Sequence, residues 1–438
     1  MSRFGLVLAV VLVATPLGLT PTVLTTLAVA EEAQTLSAQD ATEWFHQRVA
    51  RWLELYHWLH RHPEVSLDEE QTAKKLADVW RGLGLTVTEQ VGGHGIVGLL
   101  ENGDGPTVML RTDLDGLPVA EQTGLPYASE SPGVMHACGH DMHMTTVTMV
   151  AEFLASHREC WSGALMVIGQ PAEERGLGAM AMLRDGLFQR FRKPDYALAL
   201  HVDSNTSPGT VSLSGGYVSA NADSVDIIVR GKGGHGSAPH TTVDPIVLAA
   251  DLVMTLQTIV SREVKPQDAA VITVGSITGG AKHNIIGDEC RMQLTVRSHS
   301  EEVRAQLLAA IRRRTNALAE AYGAPEPSVI VSETVSAVNN DEHLAERMRA
   351  LFEKLPGVER VLQRERGMGF EDFSEFGRAG VPSLMYSIGS VSPERLDAQR
   401  KAGGVSSLHS GLYYPDAEAT LRAGFLTMSA ATLELFGR

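Results

Sequence analysis

The chain has 438 residues, of which 44% are hydrophobic, 20% charged and 5% aromatic, a composition that builds a sizeable core and excludes a disordered protein. Its 37 Lys and Arg against 52 Asp and Glu leave a formal net charge of −15. The one basic cluster, Arg312-Arg313-Arg314, lies in a helical pattern beside acidic residues, so nothing offsets the repulsion of a phosphate backbone and nucleic acid is not an expected partner.

Arg3 is the only charge before Glu31, and Phe4 to Ala14 is an apolar stretch. Pro16 and Gly18 interrupt it, and Ala28-Val29-Ala30 supplies a small-residue cleavage site. Residues 1–30 therefore read as a signal peptide removed near Ala30, and the protein as exported, either periplasmic or secreted. The stretch is shorter than the ~20 residues a membrane span needs, and no later segment reads as long and apolar enough. Three cysteines do not make a disulfide scaffold. Cys160 and Cys290 are the pair left open, since sequence alone does not bring them within bridging distance.

Trp44 to Arg61 carries Trp52, Leu55, Tyr56 and Leu59 at helical spacing, with Pro63 ending the helix. A second helix carries Leu76, Val79, Trp80 and Leu83. Short apolar runs follow at Ile96 to Leu100, Thr107 to Leu110, Ala164 to Ile168 and Ala197 to Leu200, which read as buried strands of an α/β sheet. Three of them lead into chemistry-bearing groups: Asp113 and Asp115, then Glu173 and Glu174, then His201. Ligands of open α/β sheets bind beyond the carboxyl ends of the strands, so one site is expected at that edge.

From about 219 to 333 the rhythm changes. A strand (Val225 to Val229), a helix (Pro245 to Arg262), two strands (Ala270 to Ile277, Cys290 to Val296), a helix (Glu301 to Tyr322) and a strand (Val329 to Val331) give the β-α-β-β-α-β order of a ferredoxin-like unit. Helix–strand alternation then resumes through Leu344 to Leu355, Leu384 to Ile388 and Ala417 to Phe436. The expected fold is α/β: a catalytic domain with a mostly parallel, helix-flanked sheet, formed by residues 31–218 and 334–438, and an inserted α+β domain, 219–333.

The densest constellation is Met135-His136-Ala137-Cys138-Gly139-His140-Asp141-Met142-His143. Thiolate and imidazole suit Zn²⁺, but one residue between Cys138 and His140 is too tight for a zinc finger, so further ligands must come from elsewhere, as in a catalytic site. Asp141 also suits the N-cap of the apolar helix that ends near Leu154. In Gln170-Pro171-Ala172-Glu173-Glu174, adjacent carboxylates repel unless a cation sits beside them. One on the metal and its neighbour free to move a proton is the useful arrangement. A bare Glu-Glu pair is otherwise an exposed acidic turn. His201 and His409, taken singly, are more often structural.

Together the segments Arg111-Thr112-Asp113-Leu114-Asp115-Gly116-Leu117-Pro118, Cys138-Gly139-His140-Asp141, Gln170-Pro171-Ala172-Glu173-Glu174, Gly231 to His240, Asn284-Ile285-Ile286-Gly287-Asp288 and Glu371-Asp372-Phe373-Ser374 occur in the order seen in M20 metallopeptidases. The chain resembles most the amidohydrolase branch with hippurate hydrolases, N-acyl-amino-acid amidohydrolases and auxin-conjugate hydrolases. The resemblance implies a zinc-peptidase-like catalytic domain and a two-metal site held by Cys138, His140, Glu174, His201 and His409. It makes Glu173 the general base, with Asp113 and Asp115 orienting ligands from behind and Asp141 and His143 as further candidates for that task. It also implies a homodimer formed through residues 219–333, with His235 reaching the partner's site and Asn284 and Arg297 binding the substrate carboxylate. Gly287 and Phe370 stand where the family commonly has Pro and a small residue, positions that bear on the shape of the pocket.

The implied reaction is metal-dependent hydrolysis of the amide of N-acyl amino acids or related conjugates. Zn²⁺ is the metal best matched to a thiolate ligand, with Mn²⁺ and Co²⁺ as alternatives. The rivals are a dipeptidase or carboxypeptidase on the same scaffold and, in a different class, an inactive binding protein that keeps the fold. Intact Glu173 beside Glu174 argues against the last.

Overall fold

The structure is a computed structural model that describes residues 36–437, so the expected signal sequence at 1–30 lies outside the described residues. An eight-stranded sheet runs in the spatial order Thr86–Thr88, Ile96–Asn102, Gly163–Gln170, Thr107–Asp113, Tyr196–Asp203, Ser383–Gly389, Thr210–Leu213, Arg360–Gln363. Its four central strands, from Gly163–Gln170 to Ser383–Gly389, pair in parallel. Thr107–Asp113 and Ser383–Gly389 are buried at every position, because layers cover both faces. On one face the helices Ala38–Arg61, His140–Ser156 and Ala417–Leu435 meet where the Trp44 ring lies 5.0 Å from Phe425 and 5.3 Å from Phe153. The other face buries Met109, Met166, Met182, Phe373 and Phe376.

A separate antiparallel sheet has the order Ala270–Gly279, Glu289–Ser298, Asn221–Arg230, Ser328–Val335. The helices Pro245–Arg262 and Glu301–Ala321 pack on it through Leu252, Ile259, Leu307 and Ile311. Burial alternates along Glu289–Ser298, so one face of this sheet carries the core and the other is open. The fold is thus α/β with a mixed, mostly parallel sheet and a second antiparallel layer, as expected.

Several expectations are corrected. The strands of the larger sheet run one to three residues beyond their apolar runs, and Val225 to Val229 and Val329 to Val331 extend by four at one end, to Asn221 and Val335, because the polar ends still pair. The first helix starts at Ala38, where Ser37 and Asp40 form a reciprocal capping box that hydropathy does not register. The helix bearing His140 has Gly139, not Asp141, at its N-cap. Cys160 and Cys290, whose pairing the sequence leaves open, are not joined by a disulfide. Among the described residues, one helix, Pro245–Arg262, is long and apolar enough to cross a membrane by length and composition, with a mean hydropathy of 1.3. Here it lies against the antiparallel sheet, burying Leu248, Ala249, Leu252, Leu256 and Ile259.

Candidate metal centre

The carboxyl ends of the central strands bring the predicted groups to one edge. Thr107–Asp113 ends at Asp113 and leads to Asp115; Gly163–Gln170 leads into the turn Glu173–Arg175; Tyr196–Asp203 carries His201; and Cys138 and His140 flank the start of the helix His140–Ser156. Gly139 takes a left-handed φ of 81°, and a Cβ there would lie 2.5 Å from Val202 Cγ2, so this approach needs glycine. Ala172 (φ 50°) and His409 (φ 67°) adopt the same region without that freedom. Such strain costs of order 1 kcal/mol or more per residue and persists where neighbours over-determine it. The Ala172 N–H donates to Glu69 Oε1 at 2.7 Å, and the His409 N–H to the Ala137 carbonyl at 2.9 Å.

Cys138 Sγ lies 3.5 Å from His201 Nε2 and 3.3 Å from His409 Nε2, while Glu174 Oε1 is 3.4 Å from His409 Nε2 and 3.9 Å from His140 Nε2. The second contact of each imidazole sets its tautomer. His140 Nδ1 donates to the Asp115 carbonyl at 2.8 Å and His201 Nδ1 to the Val202 carbonyl at 2.8 Å, which leaves the Nε2 lone pair of both facing the cluster. His143 differs. Its Nε2 accepts the Val202 N–H at 3.0 Å and its Nδ1 donates to Asp113 at 2.9 Å, so both nitrogens are occupied and it has no lone pair for a metal. Asp115 accepts from Ser66 Oγ at 2.6 Å and from the Glu174 N–H at 3.0 Å, tying the Glu173–Arg175 turn to the residue whose carbonyl receives His140.

The donor set fits divalent cations. His140 Nε2 and Glu174 Oε1 are buried with no hydrogen-bond partner among the described residues, an arrangement that costs free energy unless a cation meets them. Burial pushes the Cys138 thiol well up, and burial together with Glu371 and Glu174 pushes Glu173 well above the ordinary carboxylate range. Glu174 is raised too, chiefly by burial. Thiol, imidazole and carboxylate gathered this way form overlapping sets: Cys138, His140 and His201; Cys138, Glu174 and His409; His140, Glu173 and Glu174.

The centre opens into a cavity of about 890 Å³, within the range of small-molecule sites. Arg297 reaches its wall, with the guanidinium over the Phe370 ring at 5.5 Å. His235 and Asn284 do not line it. His235 sits exposed in the short strand Gly234–His235, paired with Ile285–Ile286 beside Asn284.

Two buried ionic networks escaped the sequence reading. Arg111 reaches Asp113 at 2.7 Å, Glu371 at 2.8 Å, Asp372 at 3.3 Å and Gln170 at 3.0 Å, fastening the Glu371–Ser374 segment beneath Glu173. His60 Nδ1 is 2.6 Å from Asp141 and its Nε2 3.4 Å from Glu121, so Asp141 faces this histidine instead of capping its helix. Arg111 and Glu371 stood inside quoted motifs, but nothing local in sequence joins residues so far apart along the chain.

A strand-end cluster of largely buried metal donors, with a spare carboxylate and an adjoining cavity, defines a metal-dependent hydrolase. Residues 109–401 match peptidase family M20/M25/M40, and the chain belongs to that family of metal-dependent amidohydrolases and peptidases. It is 35% identical to thermostable carboxypeptidase 1 of Saccharolobus solfataricus over 84% of this chain and 91% of that protein. It is 40% identical to hippurate hydrolase of Campylobacter jejuni over 65% and 74%. The Bacillus subtilis YXEP protein, described as a dinuclear metal-binding peptidase from the M20 family, has the same fold with a TM-score of 0.74 at 26% identity, over 90% of this chain and 99% of that one.

Proposed function

We propose that the protein hydrolyses the amide of N-acyl amino acids or related conjugates, releasing a carboxylic acid and an amino acid. The observation that carries this reading is Glu173. It lies against the donor cluster, 3.9 Å from His140, and lines the cavity that also receives Arg297. Two divalent ions held by Cys138, His140, Glu174, His201 and His409 would supply a Lewis acid for the acyl carbonyl and make water more acidic; the thiolate favours Zn²⁺ over Mn²⁺ or Co²⁺.

Glu173 then takes a proton from the attacking water as its oxygen bonds to the acyl carbon, and delivers that proton to the amide nitrogen as the C–N bond breaks. Asp115 holds His140 and the Glu174 backbone in register for this. Arg297, whose Nη1 is buried without a partner among the described residues, binds the substrate carboxylate.

The cavity chemistry favours an acyl group over a free amine. Asp203 is engaged by Asn205 and Thr206, and Glu371 by Arg111 and the Phe373 N–H, which leaves exposed Glu365 as the acidic wall residue for an ammonium. Residues 219–333 serve as lid and dimerisation surface in this reading. Ile246, Val247, Met254, Ile277, Ile285 and Ile330 are large apolar side chains exposed on that unit, and exposed His235 and Asn284 on the same unit would reach a partner's site. The leader implies export, with a mature chain that starts at Glu31 on N-terminal sequencing.

Turnover on a panel that crosses several acyl groups with several amino acids, with free dipeptides as a further arm, tests the reaction. Release of amino acid from acylated substrates but not from dipeptides is expected. The reverse preference overturns the acyl assignment in favour of a peptidase.

A further inference from the structure

Arg364 follows the short edge strand Arg360–Gln363, outside every motif that identifies the family. Its backbone is held on both sides. The N–H donates to the Leu213 carbonyl at 3.2 Å, and the carbonyl accepts from Ser214 Oγ at 2.9 Å. The side chain lines the same cavity as Cys138, Glu174, His201 and His409, and Nη1 is buried with no hydrogen-bond partner among the described residues.

A guanidinium keeps its charge in a protein, so a buried nitrogen of this kind bears a desolvation cost that nothing in the chain returns. The acidic groups nearest to it electrostatically are Glu371 and Asp203. Glu371 receives Arg111 and the Phe373 N–H, and Asp203 receives Asn205 and Thr206. Both are committed elsewhere. Arg297 and Arg364 are thus two guanidinium groups on one cavity wall, each with a buried Nη1 left open. A substrate with a single carboxylate satisfies one of them.

We infer that Arg364 is a specificity-determining residue that recognises a second carboxylate on the substrate, so that the preferred substrates are N-acyl amino acids with two carboxylates. This rests on the amidohydrolase reading and narrows its substrate class. The second carboxylate belongs either to the amino-acid side chain, as in an N-acylglutamate, or to a dicarboxylic acyl group, as in an N-succinyl amino acid.

Two near-isosteric pairs separate these sources in the metal-loaded enzyme: N-benzoylglutamate against N-benzoylglutamine, and N-succinylglycine against N-succinamoylglycine. A charge-assisted hydrogen bond predicts that kcat/KM favours the acid by at least about tenfold in one pair. Arg364→Gln abolishes that ratio, Arg364→Lys keeps part of it, and Arg364→Glu turns it against the acid. Calorimetric binding of the free products, glutamate against glutamine and succinate against succinamate, reads the same ratio without turnover. No preference in either pair, or a preference that survives in Arg364→Gln, overturns the inference while leaving the amidohydrolase reading intact. Failure to cleave any N-acyl amino acid refutes that reading instead, and the binding ratios then decide the role of Arg364.

Discussion

His60 is 1% exposed and held between Asp141 and Glu121, so its charge should be written into the pH dependence of stability. Burial alone lowers an imidazole's pKa, but the hydrogen bonds and charges of the two carboxylates outweigh it and raise His60 to about 9, while Glu121 falls to about 2. A folded-state value near 9 against the unfolded 6.5 is a difference of roughly 2.5 units, or about 3 kcal/mol. That contribution is fully present below about pH 6.5, where the imidazole is protonated in both states. It declines as pH rises, to about half near pH 8, because the unfolded chain has already released the proton. Above about pH 9 it is gone. His60→Gln fills similar space without the charge, so the stability gap between wild type and variant should shrink from about 3 kcal/mol near pH 6 toward zero near pH 9.5. Urea unfolding followed by tryptophan fluorescence at fixed metal concentration measures the gap. A gap that is constant across this range, or that widens with pH, refutes a charged His60.

Arg111→Met leaves Asp113, Glu371 and Asp372 buried without their shared cation, and should cost about 3–5 kcal/mol in denaturant unfolding near neutral pH. A cost below about 1 kcal/mol would show that the network is not holding the Glu371–Ser374 segment. If His235 acts on a neighbour's site, mixing His235→Ala and Glu173→Gln chains should restore up to about a quarter of wild-type activity once subunits have exchanged, as monitored with differential tags. Heterodimers that form and stay inactive count against that role.

Much of the donor cluster was legible because Cys138, His140, Glu173 and Glu174 sit in contiguous motifs whose residue types have few other uses, whereas His201 and His409 stand singly. Cys138 and His140 flank one helix start, and Glu173-Glu174 follows one strand. The strands were legible because both faces are covered, which makes them apolar throughout, as at Thr107–Asp113. What escaped was set by tertiary contact. Gly139 displaces Asp141 from the cap because Val202 leaves no room for a Cβ, and Asp141 is turned toward His60, 81 residues away. The short strand Thr210–Leu213 and the edge strand Arg360–Gln363 beside it are four residues each, and the second lacks an apolar run, so neither registers by hydropathy. Arg364 was missed with it. His143 stands in the same motif as His140, and its hydrogen bonds to Val202 and Asp113 separate its role from a ligand's.

The central claim is the division of labour between two adjacent carboxylates: Glu174 holds metal and Glu173 moves the proton. Metal content per subunit, measured by elemental analysis alongside kcat for Glu173→Gln and Glu174→Ala, tests it most directly. Glu173→Gln is expected to keep the wild-type metal content and lose roughly a hundredfold or more in kcat, while Glu174→Ala loses metal together with activity. Equal loss of metal in the two variants, or a Glu173→Gln enzyme that turns over within about tenfold of wild type, would contradict it.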